Sequence, residues 1–120
     1  MVIVNETTGQ TLVQRVVRCV TPWQRGRGLM FRPRRTIAGG QAYLFVEARE
    51  SIVRCAVHMF FVFYPIAVIW LNREKRVVDK VLARPFRPCY APRQPALYYL
   101  EGDPALLGQV RIGDRLEFQG

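Results

Sequence analysis

Cys55 and His58 stand three residues apart in the run CAVHMFFVFYPIAVIWLN, and a thiol beside an imidazole is the pair that nucleophilic catalysis would need. On an extended chain an odd separation sends the two side chains to opposite faces, which argues against a direct dyad. Cys19, Cys55, His58 and Cys89 also make up a zinc donor set, but their separations of 36, 3 and 31 residues fit no knuckle or ribbon. A single histidine cannot supply a multi-histidine metal centre. No catalytic residue, metal site or cofactor is therefore assigned, and the three cysteines are expected to be free thiols.

The remaining chemistry lies in binding. His58 is the only side chain whose ordinary titration falls near neutral pH. Arg25 and Arg27 flank Gly26 and precede Gly28, so the backbone can approach a ligand while the guanidinium forks grip an anion. Arg87 sits in the proline-rich run RPFRPCYAPRQP, which must fold over some surface. Arg25, Arg27, His58 and Arg87 are the candidate ligand-binding residues, with Arg27 and His58 expected to share a cleft with one residue of the proline-rich run. Trp23, beside Arg25, could stack a sugar or base. Asp114, in Gly-Asp-Arg-Leu, reads as a turn residue bonding its own backbone.

Charge sharpens the binding reading. The formal net charge is +9, and all but two of the 18 basic residues are arginine. No acid occurs between Glu6 and Glu47, where Arg15, Arg18, Arg25, Arg27, Arg32, Arg34 and Arg35 lie, and none between Lys80 and Leu100, which adds Arg84, Arg87 and Arg93. Such runs offer forked donors to phosphate or carboxylate groups.

Mostly short strands must position these residues. VIVN at 2–5 and TLVQRVVRCV at 11–20 flank a polar turn and predict a hairpin. Thr21-Pro22 predicts an N-cap and the first residue of a short helix. AYLFVE at 42–47 predicts a strand. The uncharged run between Arg54 and Arg73 is long enough to cross a bilayer as a helix, but Pro65 interrupts it and its residues favour pleated structure. It predicts two buried strands, over 55–63 and 66–72, with Phe61 and Ile69 shielded from solvent. A hairpin loop at 72–75 leads to a strand over 76–82. Four prolines predict an ordered loop over 84–95, anchored by the buried rings of Phe86 and Tyr90. ALYYLEG at 96–102 and DRLEF at 114–118 predict the last strands, with a short helix capped by Asp103 between them. The expectation is a mainly β single domain over 1–120, a jelly-roll-like β-sandwich or small barrel with one or two short helices. The N-terminus MVIVNETTGQ lacks an export pattern, so a cytoplasmic protein without a membrane span is expected.

The order of RGRGLMFR at 25–32, HMFFVFYPI at 58–66, RVVDKV, YYLEG and GDRLEF resembles the domain of unknown function 192 family over about 2–118. The resemblance implies a small β-sandwich and no particular reaction. Relatives typically carry acids after Pro-Ile where this chain has Ala67 and Asn72, so ligand roles resting on those acids do not carry over. Many also carry polar residues where Phe60, Phe61 and Val62 stand here.

Taken together, the residues point first to a non-enzymatic binding module for a small anionic or carbohydrate ligand, or for a partner protein. Sequence-nonspecific nucleic-acid association ranks second, on the basic charge and the interleaved arginines and aromatics of RPFRPCYAPR. An enzyme ranks third, because no nucleophile-base set or phosphate-binding glycine loop is present.

Overall fold

The computed structural model describes residues 1–87 and 89–120, with Pro22 and Gly26 described as backbone only; Pro88, within the expected loop over 84–95, lies outside the described residues. The strands are β1 (Val2–Asn5), β2 (Gln10–Val13), β3 (Arg15–Cys19), β4 (Gln41–Ser51), β5 (Ile66–Leu71), β6 (Val77–Ala83), β7 (Ala96–Gly102) and β8 (Leu116–Gln119). One α-helix, α1 (Pro22–Arg27), and 3-10 helices at Arg34–Ile37 and Pro104–Gly108 complete the described elements. The strands form two sheets, β2-β1-β8 and β3-β4-β7-β5-β6. The protein is thus mainly β, as its composition and turn signals predict.

The five-stranded sheet is covered on both faces. Alternate residues of β5 divide between them: Ala67, Ile69 and Leu71 pack with Ile3, Val13, Leu116 and Leu106, which joins the two sheets. Ile66, Val68 and Trp70 face the other way, packing with Phe45, Tyr99, Cys55, Met59 and Leu29 beneath irregular loops. Ala67 therefore lies in the inter-sheet layer, while Asn72 shapes the β5-β6 hairpin by accepting from the Glu74 and Arg76 N–H groups.

Two expected strands take another form. The run expected over 11–20 divides at Gln14: both Gln14 and Arg15 donate to the Gly40 carbonyl, and β3 crosses to the second sheet to pair parallel with β4. The expected strand over 55–63 is absent. Residues 52–65 are irregular, although Cys55, Val57 and Met59 are buried alternately as on a strand. Among the described residues the run forms one β-bridge, Val57 exchanging hydrogen bonds of 2.7 and 2.8 Å with Tyr90, while Met59 donates to the Arg87 carbonyl and accepts from the Phe86 N–H. The physical reason is the neighbour: a proline-rich segment lacks the N–H groups that a longer ladder needs. Tyr90 is half-buried, but Phe61 and Phe86, both expected to be buried, are exposed, whereas Ile69 is fully buried. No helix among the described residues is long and apolar enough to cross a membrane.

Candidate functional site

The site begins with the end of α1. Thr21 accepts from the Gln24 N–H, and the Gln24 side chain accepts from Thr21 N–H in return, a capping box that fixes where the helix starts. One and a half turns later Gly28 donates to the Gln24 carbonyl and leaves the helix at φ +47°, ψ −122°, a conformation essentially reserved for glycine. A Cβ at this position would meet the Phe45 ring at 3.2 Å and stand 3.8 Å from Glu101 Oε1. Bare backbone is thus laid directly over the sheet.

Beneath it lies a cavity of about 40 Å³. Phe45, Tyr99 and Glu101 line it from the sheet, and Arg25, Arg27 and His58 from the covering segments. Register explains the floor: Phe45 pairs with Tyr99 across β4 and β7, their rings stacked at 4.6 Å, and Glu101 lies two residues beyond Tyr99, between Tyr43 and Val68. Because β7 is central, Glu101 is only 5% exposed. No hydrogen bond or ion pair reaches its carboxyl group from the described residues, and burial pushes its pKa up to about 8. At neutral pH it is a carboxylic acid able to donate into the cavity.

Arg25 is committed to the protein. Its Nε lies 2.9 Å from the buried Glu47 carboxylate, and Nη1 donates to the carbonyls of Val20 and Val46. Arg27 is exposed, and it and Gly28 also border a neighbouring groove of about 120 Å³ with Arg18, Arg32 and the exposed Trp23. Arg32 is held there by donating to the Gly28 carbonyl and by lying over the Tyr43 ring. His58 is half-buried beside the Phe60 ring; its Nδ1 accepts from the Phe60 N–H, leaving Nε2 to carry the proton of the neutral ring. Arg87 is exposed and its carbonyl accepts from Met59 N–H, but neither it nor any other described residue of 84–95 lines the cavity. The structure thus brings Arg25, Arg27 and His58 together and leaves Arg87 apart.

The two buried thiols are poor nucleophiles. Cys55 donates to the Ala96 carbonyl, and burial, reinforced by Glu47, pushes its pKa to about 12. Burial, followed by Glu101, raises Cys19 to about 11 against the opposing effect of Arg32. Cys89 is exposed. Among the described residues no three His, Cys, Asp or Glu side chains converge. A larger cavity, of about 240 Å³ near Gly39 and Gly40, has Asp103 as its only ionisable lining residue.

Glu101 escapes a reading by motif. Its one sequence signal is an acid inside an otherwise apolar strand, two residues from Tyr99, and only the non-local placement of β7 between β4 and β5 makes that acid buried.

Comparison with known proteins agrees with the architecture. The model of the DUF192 family, described as uncharacterized ACR, matches residues 3–118. A UPF0127 protein of Thermococcus kodakarensis is 34% identical over 110 residues, covering 92% of this chain and 67% of that protein. Another, from Pyrococcus furiosus, is 38% identical over 97 residues, covering 79% and 78%. Among solved structures, a candidate transcription regulator from Sinorhizobium meliloti superposes with a TM-score of 0.81 at 25% identity, covering 97% of this chain and 89% of that one. A Novosphingobium aromaticivorans protein of unknown function gives 0.80 at 24% identity, covering 98% and 83%.

Proposed function

The chain belongs to the DUF192 family, and from that premise we propose that it is a binding module in which the Gly28 cavity takes the anionic end of a small ligand. The observation that carries this reading is Glu101, a buried acid with a pKa of about 8, lining the same cavity as Arg27 and His58. Below that pH its hydroxyl and the Arg27 guanidinium are both donors, a pairing suited to a carboxylate or phosphate oxygen. The cavity holds a few waters or one such group, and the adjoining groove supplies Trp23 for an apolar or sugar-like body and Arg18 and Arg32 for further charge. Arg25, paired with Glu47, acts as a positioning residue that ties α1 to β4.

Titration calorimetry with glucose 6-phosphate and with uncharged glucose tests this. Saturable binding of the phosphate is expected, weakening as pH rises through about 8 because ionised Glu101 repels the ligand. Arg27→Ala should weaken it about tenfold or more, through loss of a charge-assisted hydrogen bond, whereas Arg34→Ala should change it little. Equal losses from the two variants would refute the Arg27 site.

Nucleic-acid association is the second reading, favoured by the net charge of +9 and by the description of the Sinorhizobium meliloti structure as a candidate transcription regulator. It predicts binding to single-stranded DNA that falls steeply with salt and loses a similar increment for each arginine removed.

A further inference from the structure

Three loops bring Phe31, Phe61, Phe63 and Phe86 into one surface cluster; their chain neighbours Met30 and Val62 line the cavity, but none of the four rings does. Phe31 stacks on Phe61 at 4.6 Å, and Phe86 stands edge-on to Phe61 at 6.3 Å and to Phe63 at 5.2 Å. Each ring is nevertheless 44% to 62% exposed. Phe31, Phe61 and Phe86 lie at φ +59°, +58° and +62°, left-handed backbone that bulky L-residues avoid. The other such non-glycine residue described, Lys75, closes the β5-β6 hairpin, where that conformation is ordinary. Each of the three phenylalanines is the third residue of a hydrogen-bonded β-turn, closed by the Arg32 N–H to the Leu29 carbonyl, the Val62 N–H to that of Met59 and the Arg87 N–H to that of Arg84. Their loops are also tied to one another, Phe31 N–H donating to the Phe61 carbonyl and Phe86 N–H to that of Met59. Glycine or asparagine would adopt these positions more easily, yet large apolar rings occupy them and face water.

Charge says what the rings face. The sequence has no acid over 7–46, 51–73 or 80–100, ranges that contain all three loops, and exposed Arg34, Arg35, Arg84 and Arg87 lie within a few residues of the rings. We propose that this cluster docks the protein onto an anionic phospholipid surface, the rings entering the headgroup boundary and the flanking arginines meeting lipid phosphates. A lipid surface rewards a contiguous apolar knob flanked by cations. Nucleic-acid stacking would instead need open ring faces, and Phe31 and Phe61 already cover one another. None of the four rings lines the Gly28 cavity, so vesicle binding and glucose 6-phosphate binding, measured on the same variants, tell the two proposals apart.

Co-sedimentation of the full chain with phosphatidylcholine vesicles, with and without about one-third phosphatidylglycerol, tests the docking surface. Binding is expected to the anionic vesicles only, and to weaken with salt. The double variant Phe31→Gly/Phe61→Gly should bind about tenfold more weakly, through loss of inserted apolar surface, while its melting temperature holds or rises because the backbone is relieved. Phe63→Ser, altering a ring outside the left-handed positions, should also weaken binding and serves should the double variant fail to fold. No binding to anionic vesicles overturns the proposal, as does undiminished binding by these variants, which would leave charge alone responsible. It is equally overturned if the variants abolish self-association or oligonucleotide binding while the wild type ignores vesicles.

Discussion

At the corner between β1 and the β8 turn, Asp114 is buried and engaged through one oxygen: Oδ2 accepts from Asn5 Nδ2 and from the Arg111 N–H, each at 2.9 Å. The hydrogen bond from Asn5, then that from Arg111, holds its pKa below the usual carboxylate range. Across the molecule, Glu101 is buried without a partner among the described residues, and its pKa is pushed the other way, to about 8. Both acids lie beside glycines near sheet ends, but one joins two segments of chain and the other lines a cavity. Protein partners make a buried carboxylate structural; no fully enclosed side-chain oxygen among the described residues lacks a partner, so the Glu101 carboxyl opens on the cavity, where a ligand can engage it.

Breaking the engaged acid should have the larger effect. Asp114→Ala leaves the Arg111 N–H without its acceptor and Asn5 Nδ2 with only the Gln109 carbonyl, and should cost about 3 kcal/mol, measured by urea denaturation at neutral pH. Because the folded pKa is depressed, this contribution is present above the unfolded value and lost on acidification, so variant and wild type should converge at low pH. Replacing the unengaged acid sharpens the contrast by reversing the sign. Glu101 has a raised folded pKa, so its own contribution to stability is fully present below about 4.5 and declines as pH rises from there to about 8, where the unfolded chain has released a proton the folded chain retains. Glu101→Gln should therefore be more stable than wild type by about 2 kcal/mol at alkaline pH, with the advantage fading toward acid. Melting temperatures across that range measure it, and a destabilised variant at every pH would contradict the account.

The two regions also differ in how much the sequence discloses. Gly113-Asp114 before an apolar run announces a turn, and Asp114 forms one through the adjacent Arg111 backbone. The strand Ala96–Gly102 and the Thr21-Pro22 helix start are legible for the same reason: their signals are local. Residues 52–65 mislead because burial alternates without a ladder, and whether a strand forms depends on a partner more than 25 residues away that prolines have stripped of donors. Arg27 and His58 were recognisable as ionisable groups in unusual settings, whereas Arg25 could be told from its neighbours only by knowing that Glu47 lies beside it. Glu101 depends on β7 being enclosed by β4 and β5, a fact of topology.

The most direct test is a titration of the Glu101 side-chain carboxyl by carbon-13 NMR, with Glu101→Gln assigning the resonance. A midpoint near 8, rising further when glucose 6-phosphate is added, is the predicted result, because an anion bound beside the acid stabilises its protonated form. A midpoint near the ordinary 4.5 that ignores the phosphate would contradict it, and Glu101 would then be an ionised, solvated group with no part in a ligand site.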